Sequence, residues 1–134
     1  MSTSTDTIAF IGRCLIAVLL LVSGFGKVVA PTATIAWIAS TGLPMPTLAD
    51  VVFIIIELGG GLLLILGWQI RPVAIVVSVY AIGTAFIFHR HIADHNMLFH
   101  FLKNIAVTGG LFQLMAFGAG NLSLDASRVR KSPA

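Results

Sequence analysis

Four long apolar runs, at residues 8–29, 48–66, 72–88 and 97–117, leave this chain few ways to fold. Each is close to the roughly 20 residues that carry a helix across a hydrocarbon core about 30 Å thick. In lipid only helices and closed barrels satisfy their own backbone groups. The runs lack the apolar–polar alternation of barrel strands. Prolines mark the breaks: Pro31 follows the first run, Pro44 and Pro46 precede the second, and Pro72 opens the third. The predicted fold is all-α, an integral membrane four-helix bundle that takes in residues 1–134 as one domain. Composition excludes the soluble alternative. The chain is 57% hydrophobic and 10% charged, against about 25% charged in soluble domains. A globule of this size has too little interior to hide that much apolar surface.

The first run is expected to stay in the mature protein. It is longer than the roughly 7–15-residue core of a cleaved signal, and no Lys or Arg precedes Arg13. The eight Lys and Arg are scattered between apolar runs and form no patch, so no nucleic-acid partner is implied. Their placement reports orientation instead. Arg13, Arg71, Arg128, Arg130 and Lys131 fall on the side of the termini and second loop, while Lys27, Arg90 and Lys103 fall on the other. That bias predicts a multi-pass membrane protein with both termini in the cytoplasm. The polar ends, Met1–Thr7 and Arg128–Ala134, are expected to be mobile.

Function is sought among residues that lipid should exclude. Glu57 sits near the middle of the second run, where a carboxylate costs several kcal/mol unless it is protonated, paired or hydrated. It is expected to face the bundle interior, as a ligand or proton site or as packing glue. Lys27, Lys103, Asn104 and His89 lie toward the outer side. With about 1.5 Å of rise per residue, a lysine stem spans much of the separation in depth. One inward cluster of Glu57, Lys103, Asn104, His89 and Lys27 follows. Lys27 can alternatively snorkel to the interface, and Asn104 can simply bridge two helices. Ser23, Gly24, Gly26 and the run Gly59–Gly61 are read as close-packing positions.

At the inner end Arg13 and Asp125 are a candidate structural ion pair, with Arg71 as an alternative partner or a lipid-phosphate contact. His89, His91, His95 and His100, with Asp94 among them, match no metal-ligand spacing, and no metal is assigned. Trp37 and Trp68 suit interfacial anchoring. Phe86, Phe88, Phe99, Phe101 and Phe112 are candidates for a flat apolar slot for a quinone, with plain packing or lipid contact as the competing role. Cys14 is a single thiol within an apolar run, which excludes an internal disulfide or a Cys-x-x-Cys pair.

These motifs together resemble the DoxX family of small bacterial membrane proteins. The resemblance runs from about Arg13 to Asp125 and rests on short pieces in order. They are Ser23-Gly24-Phe25-Gly26-Lys27, Gly42-Leu43-Pro44-Met45-Pro46, Glu57-Leu58-Gly59-Gly60 and Arg71-Pro72 in the first half. Gly83 to His89, Phe101-Leu102-Lys103-Asn104, Gly109-Gly110 and Ser123-Leu124-Asp125 complete the series. The resemblance implies a four-helix membrane fold and a link to quinone redox chemistry, since relatives form a thiosulfate:quinone oxidoreductase. The family's polar positions match at Arg13, Lys27, Glu57, His89, Lys103, Asn104 and Asp125.

Three functions compete. The first is a membrane component of a quinone-linked redox system, an oxidoreductase subunit using ubiquinone or menaquinone. Glu57, His89 and Lys103 would handle the head group, no cofactor would be covalently bound, and electrons would come from a partner subunit or soluble enzyme. The second is a non-catalytic adaptor that holds partner enzymes at the bilayer through Arg128-Val129-Arg130-Lys131. The third is a small-solute permease, which would need a homo-oligomer to make a path.

Overall fold

The computed structural model describes residues 3–131, and among them all regular structure is helical. The elements are α1 (Thr3–Val29), α2 (Pro31–Ser40), α3 (Pro46–Leu66), α4 (Ile70–Phe88), α5 (His95–Phe117) and α6 (Leu124–Lys131). Three of them, α1, α3 and α4, are long and apolar enough to cross a membrane. α5 is long enough, but His100, Lys103, Asn104 and Gln113 hold its hydropathy lower. Large apolar side chains stand exposed along the helices, among them Ile8, Leu15, Val22, Val79 and Phe117, as lipid contact requires.

The helices outrun the apolar runs because caps, not hydropathy, set their ends. α4 starts at Ile70 because Asp125 accepts the N–H groups of Gln69 and Ile70 at 2.8 and 2.9 Å. That satisfies orphan donors of the first turn from a segment 55 residues away. α5 starts at His95 because the Asp94 carboxylate accepts from Met97 N–H at 3.1 Å. The supposedly mobile N-terminal segment is helical from Thr3, with Asp6 buried and accepting from Asn121 N and Nδ2 at 2.9 and 3.0 Å. Arg128–Lys131 likewise belong to α6, while the last three residues of the predicted mobile tail and the first two of the chain lie outside the described residues. The first loop contains α2, opened by Pro31 at its first turn and buried at Ile38.

Packing order follows from where backbones come close. A Cβ on Gly24 would lie 2.9 Å from Leu58 Cγ and 3.0 Å from Glu57 Cβ, and one on Gly61 would lie 2.8 Å from Leu21 Cγ. These glycines let α1 run antiparallel against α3. Gly60 admits Val77 of α4 in the same way. α5 packs along α4 and meets α1 only locally. The dry core (Ala17, Leu64, Ala74, Val77, Leu111 and neighbours) occupies the half nearer the chain ends.

Arg13 and Asp125 do not bond each other. Arg13 is 0% exposed and donates to three backbone carbonyls, those of Leu64, Ile65 and Leu122. These are orphan acceptors at the end of α3 and in the segment after α5, where a five-donor guanidinium serves better than one carboxylate partner. Asp125 is instead used as the cap of α4. Gly67, at φ +64°, turns the chain out of α3 beside the guanidinium, where a side chain would collide with it.

Candidate functional site

The half of the bundle away from the chain ends is polar and hollow. Glu57 lies within a π-helical turn, Ile55–Gly59, that interrupts α3. Such a turn widens the helix by one residue, a distortion often found at functional sites. The Glu57 side chain is 4% exposed and is fully engaged. Its Oε1 accepts from Ser23 Oγ at 2.9 Å, Tyr80 OH at 2.6 Å and Lys27 Nζ at 2.9 Å, and its Oε2 accepts from Lys27 Nζ at 2.7 Å. Lys27 also donates to Ser23 Oγ at 2.9 Å. The ion pair therefore satisfies all three ammonium donors, and α1, α3 and α4 meet in one charge-assisted network.

This network forms one wall of a cavity of about 340 Å³. All five residues of the predicted cluster, Glu57, Lys103, Asn104, His89 and Lys27, line it. Lys27 is directed inward onto Glu57 rather than snorkelling. Asn104 Nδ2 donates to Thr84 Oγ1 at 3.2 Å, tying α5 to α4 at the cavity's edge. Lys103 does not reach Glu57; its Nζ lies 3.3 Å from His100 Nδ1. His89 and His100 rings stack with centroids 5.0 Å apart. Burial, and then the proximity of His100 and Lys103, hold the His89 imidazole below its usual range. Its Nδ1 is buried and has no hydrogen-bond partner. No group of three His, Cys, Asp or Glu side chains gathers as a metal site among the described residues.

The aromatic wall differs from the predicted slot. Of the five phenylalanines, only Phe88 lines the cavity. Phe86 pairs edge-on with Phe101, and Phe86, Phe99 and Phe112 are exposed on the outside of the bundle. The wall is made by Trp37, Phe53, Tyr80 and Phe88, with Trp37 and Phe88 centroids 4.9 Å apart and Phe53 and Tyr80 5.3 Å apart. Trp37 reaches the site because α2 supplies it, with Thr34 and Ile38, to the cavity lining, which no hydropathy pattern in a ten-residue segment announces. Tyr80 was legible by the logic that singles out Glu57, since it is the chain's one tyrosine and sits inside an apolar run. Ser23, read only as a small packing residue, is a ligand of the carboxylate. Asp50 was passed over at the start of the second run, yet it is 3% exposed and its Oδ1 has no partner.

A family model described as DoxX matches residues 8–90, a stretch that contains Ser23, Lys27, Glu57, Tyr80 and His89. The "Inner membrane protein YphA" of Escherichia coli (strain K12) is 32% identical over 121 residues, which is 86% of this chain and 86% of that protein. The "Inner membrane protein YqjF" of the same organism is 30% identical over 125 residues, 93% of this chain and 95% of that protein. No solved structure matches.

Proposed function

The chain belongs to the DoxX family and is a multi-pass inner-membrane protein, and from that footing we propose that its cavity binds the head group of a membrane quinone within a redox system. The carrying observation is the pairing of an aromatic wall with a fully ligated buried carboxylate in a hollow of about 340 Å³. That volume is at the small end for a ligand pocket and suits a single substituted ring. Ring carbonyls need donors. Lys103 Nζ has no carboxylate partner, and the buried His89 Nδ1 is unmatched, so these two would hold the oxygens. A quinone bound there would take up or give up electrons together with protons. Glu57, with the Tyr80 phenolic hydrogen on its Oε1 and Lys27 bonded to both oxygens, would exchange the protons. Electrons would pass to or from a partner subunit or soluble enzyme.

We also propose α5 as the fourth span, with both termini cytoplasmic. The antiparallel alternation of α1, α3, α4 and α5 and the bias of Lys and Arg toward the end that holds the termini support this. A reporter fused after Ala134 should be active only in the cytoplasm; activity outside overturns the topology. For the cavity, the test is equilibrium binding of ubiquinone and menaquinone analogues to protein in native lipid. Saturable binding that falls at least about tenfold in Glu57→Gln is expected. Absence of binding by either quinone type rejects the reading.

A further inference from the structure

α1 and α5 are fastened at one end and separated at the other. Near the chain ends, Asp6 accepts from Asn121 twice and Arg13 donates to Leu122 O, so the start of α1 is bonded to the segment that follows α5. One step further in, Gly110 lets the helices touch, since a Cβ there would stand 3.1 Å from Ile16 Cδ1. Beyond that contact nothing described bonds α1 to α5. The cavity lies between them, with Leu20, Ser23 and Lys27 on the α1 side and Val107, Asn104 and His100 on the α5 side. The two series pair at equal heights in antiparallel register. From Ile16 to Lys27 the rise is about 16 Å, at about 1.5 Å per residue.

We infer that this cleft is a lateral portal, open to the bilayer between α1 and α5, through which a lipid-dissolved ligand enters and in which its alkyl or prenyl tail remains. The inference rests on the quinone reading of the cavity and adds where the tail goes. Three observations lead to it. First, the cavity accepts a ring but is far too small for a ring with a long chain, so a tail must leave it. Second, the other helix seams are closed: α1 on α3 by Gly24 and Gly61, α3 on α4 by Gly60 and Tyr80, and α4 on α5 by their extended packing. Third, the floor of the α1–α5 seam is lined by Leu19, Leu20 and Val107, which offer a tail apolar contact, while the polar ligands of the ring lie above them. A tail in the seam stays in hydrocarbon throughout, so entry requires no desolvation of charge.

The experiment compares a tailless ring (ubiquinone-0) with a decyl-tailed one (decylubiquinone) on protein in lipid nanodiscs. Wild type should bind the tailed form at least about tenfold more tightly after correction for partitioning into lipid. Leu19→Trp and Val107→Trp, which fill the seam, should weaken binding of the tailed form at least about fivefold more than binding of ubiquinone-0. Because a tryptophan can distort the bundle, a second measurement uses unaltered protein and a quinone carrying a photoreactive diazirine on its first tail carbons. Cross-links on residues 16–23 and 103–110 are expected. Labelling of α2 or the α3–α4 seam instead, or equal loss of both ligands in the tryptophan variants, overturns the portal while leaving the quinone site standing. If wild type binds neither ligand, the quinone reading falls and the portal with it.

Discussion

Replacing Lys27 with methionine isolates the strongest electrostatic link in the bundle. Met matches the lysine stem in length and supplies no charge. The substitution removes both short bonds to Glu57, at 2.7 and 2.9 Å, and the bond to Ser23 Oγ. Glu57 retains Tyr80 and Ser23 as donors but loses its countercharge. Stripping one partner from a buried ion pair costs about 3–5 kcal/mol because the remaining charge is stranded. Here the Lys27 side chain keeps 16% exposure, so some water reaches the pair, and a loss near the lower bound, about 3 kcal/mol, is expected. Neutralising both ends tests the cause. In Lys27→Met/Glu57→Gln, the amide oxygen at position 57 still accepts from Tyr80 and Ser23 and no charge is stranded, so at least about 1.5 kcal/mol should be recovered. The assay is reversible unfolding in mixed micelles, read by circular dichroism, for wild type, both single variants and the double. A Lys27→Met loss below about 1 kcal/mol, the worth of an exposed pair, would refute the claim that the pair is buried and coupled. So would a double variant no more stable than Lys27→Met.

Other expectations follow from single contacts. Gly24→Ala should lower stability by about 1–3 kcal/mol, since its Cβ meets Leu58 and Glu57 at the α1–α3 crossing; Gly26→Ala, with nothing within 4 Å, should change it by less than about 0.5 kcal/mol, and equal effects in thermal melts would contradict this packing. Arg13→Lys should cost about 2 kcal/mol or more, because an ammonium cannot reach three carbonyls on two segments, and unchanged unfolding would show the carbonyl clamp to be idle. For His89 the folded state disfavours the charged ring, so its contribution is present above the ordinary histidine range and is lost as pH falls through the lowered folded value. Wild type should therefore lose stability on acidification below about pH 6.5 more steeply than His89→Asn, and parallel pH profiles would reject that assignment. Asp50→Leu should raise stability by about 1 kcal/mol by replacing a buried carboxylate, one oxygen of which has no partner, with an apolar side chain of similar volume, and a lower melting point would point to a partner for that group.

The fold was legible because lipid imposes a length and a composition on every span, and those are properties of sequence alone. Most of the site was legible for the same reason. Glu57, Lys27 and Asn104 are expensive in hydrocarbon, so their presence inside apolar runs already implies an inward face. Partners were harder to read. Charge suggested joining Arg13 to Asp125, but each found backbone groups left open by helix ends, and helix ends depend on where other segments arrive. The aromatic wall was misplaced for a related reason. Phenylalanine has no penalty for facing lipid, so Phe86, Phe99 and Phe112 carry no signal of direction, whereas Tyr80 does through its hydroxyl.

The two halves of the bundle are stabilised differently, and this bears on how a site can exist in so short a chain. Near the chain ends, Arg13, Asp6 and Asp125 bond backbone groups of distant segments, and small side chains such as Ala17 and Ala74 bring the helices together. In lipid there is little hydrophobic drive between helices, so these bonds and contacts carry the association. The other half has a cavity in place of a core, a π-turn in α3 and two stacked histidines. Its cohesion rests on the Lys27–Glu57–Tyr80 network, which joins α1, α3 and α4, and on the packing of α5 along α4 with the Asn104–Thr84 bond, and neither ties α5 to α1. Opening should therefore separate α5 from α1 at this end before any other seam yields. Hydrogen exchange would read that order directly: amides of the first two turns of α5 should exchange well before those around Leu111. Uniform protection along α5 would mean that the hollow half is as rigid as the packed one.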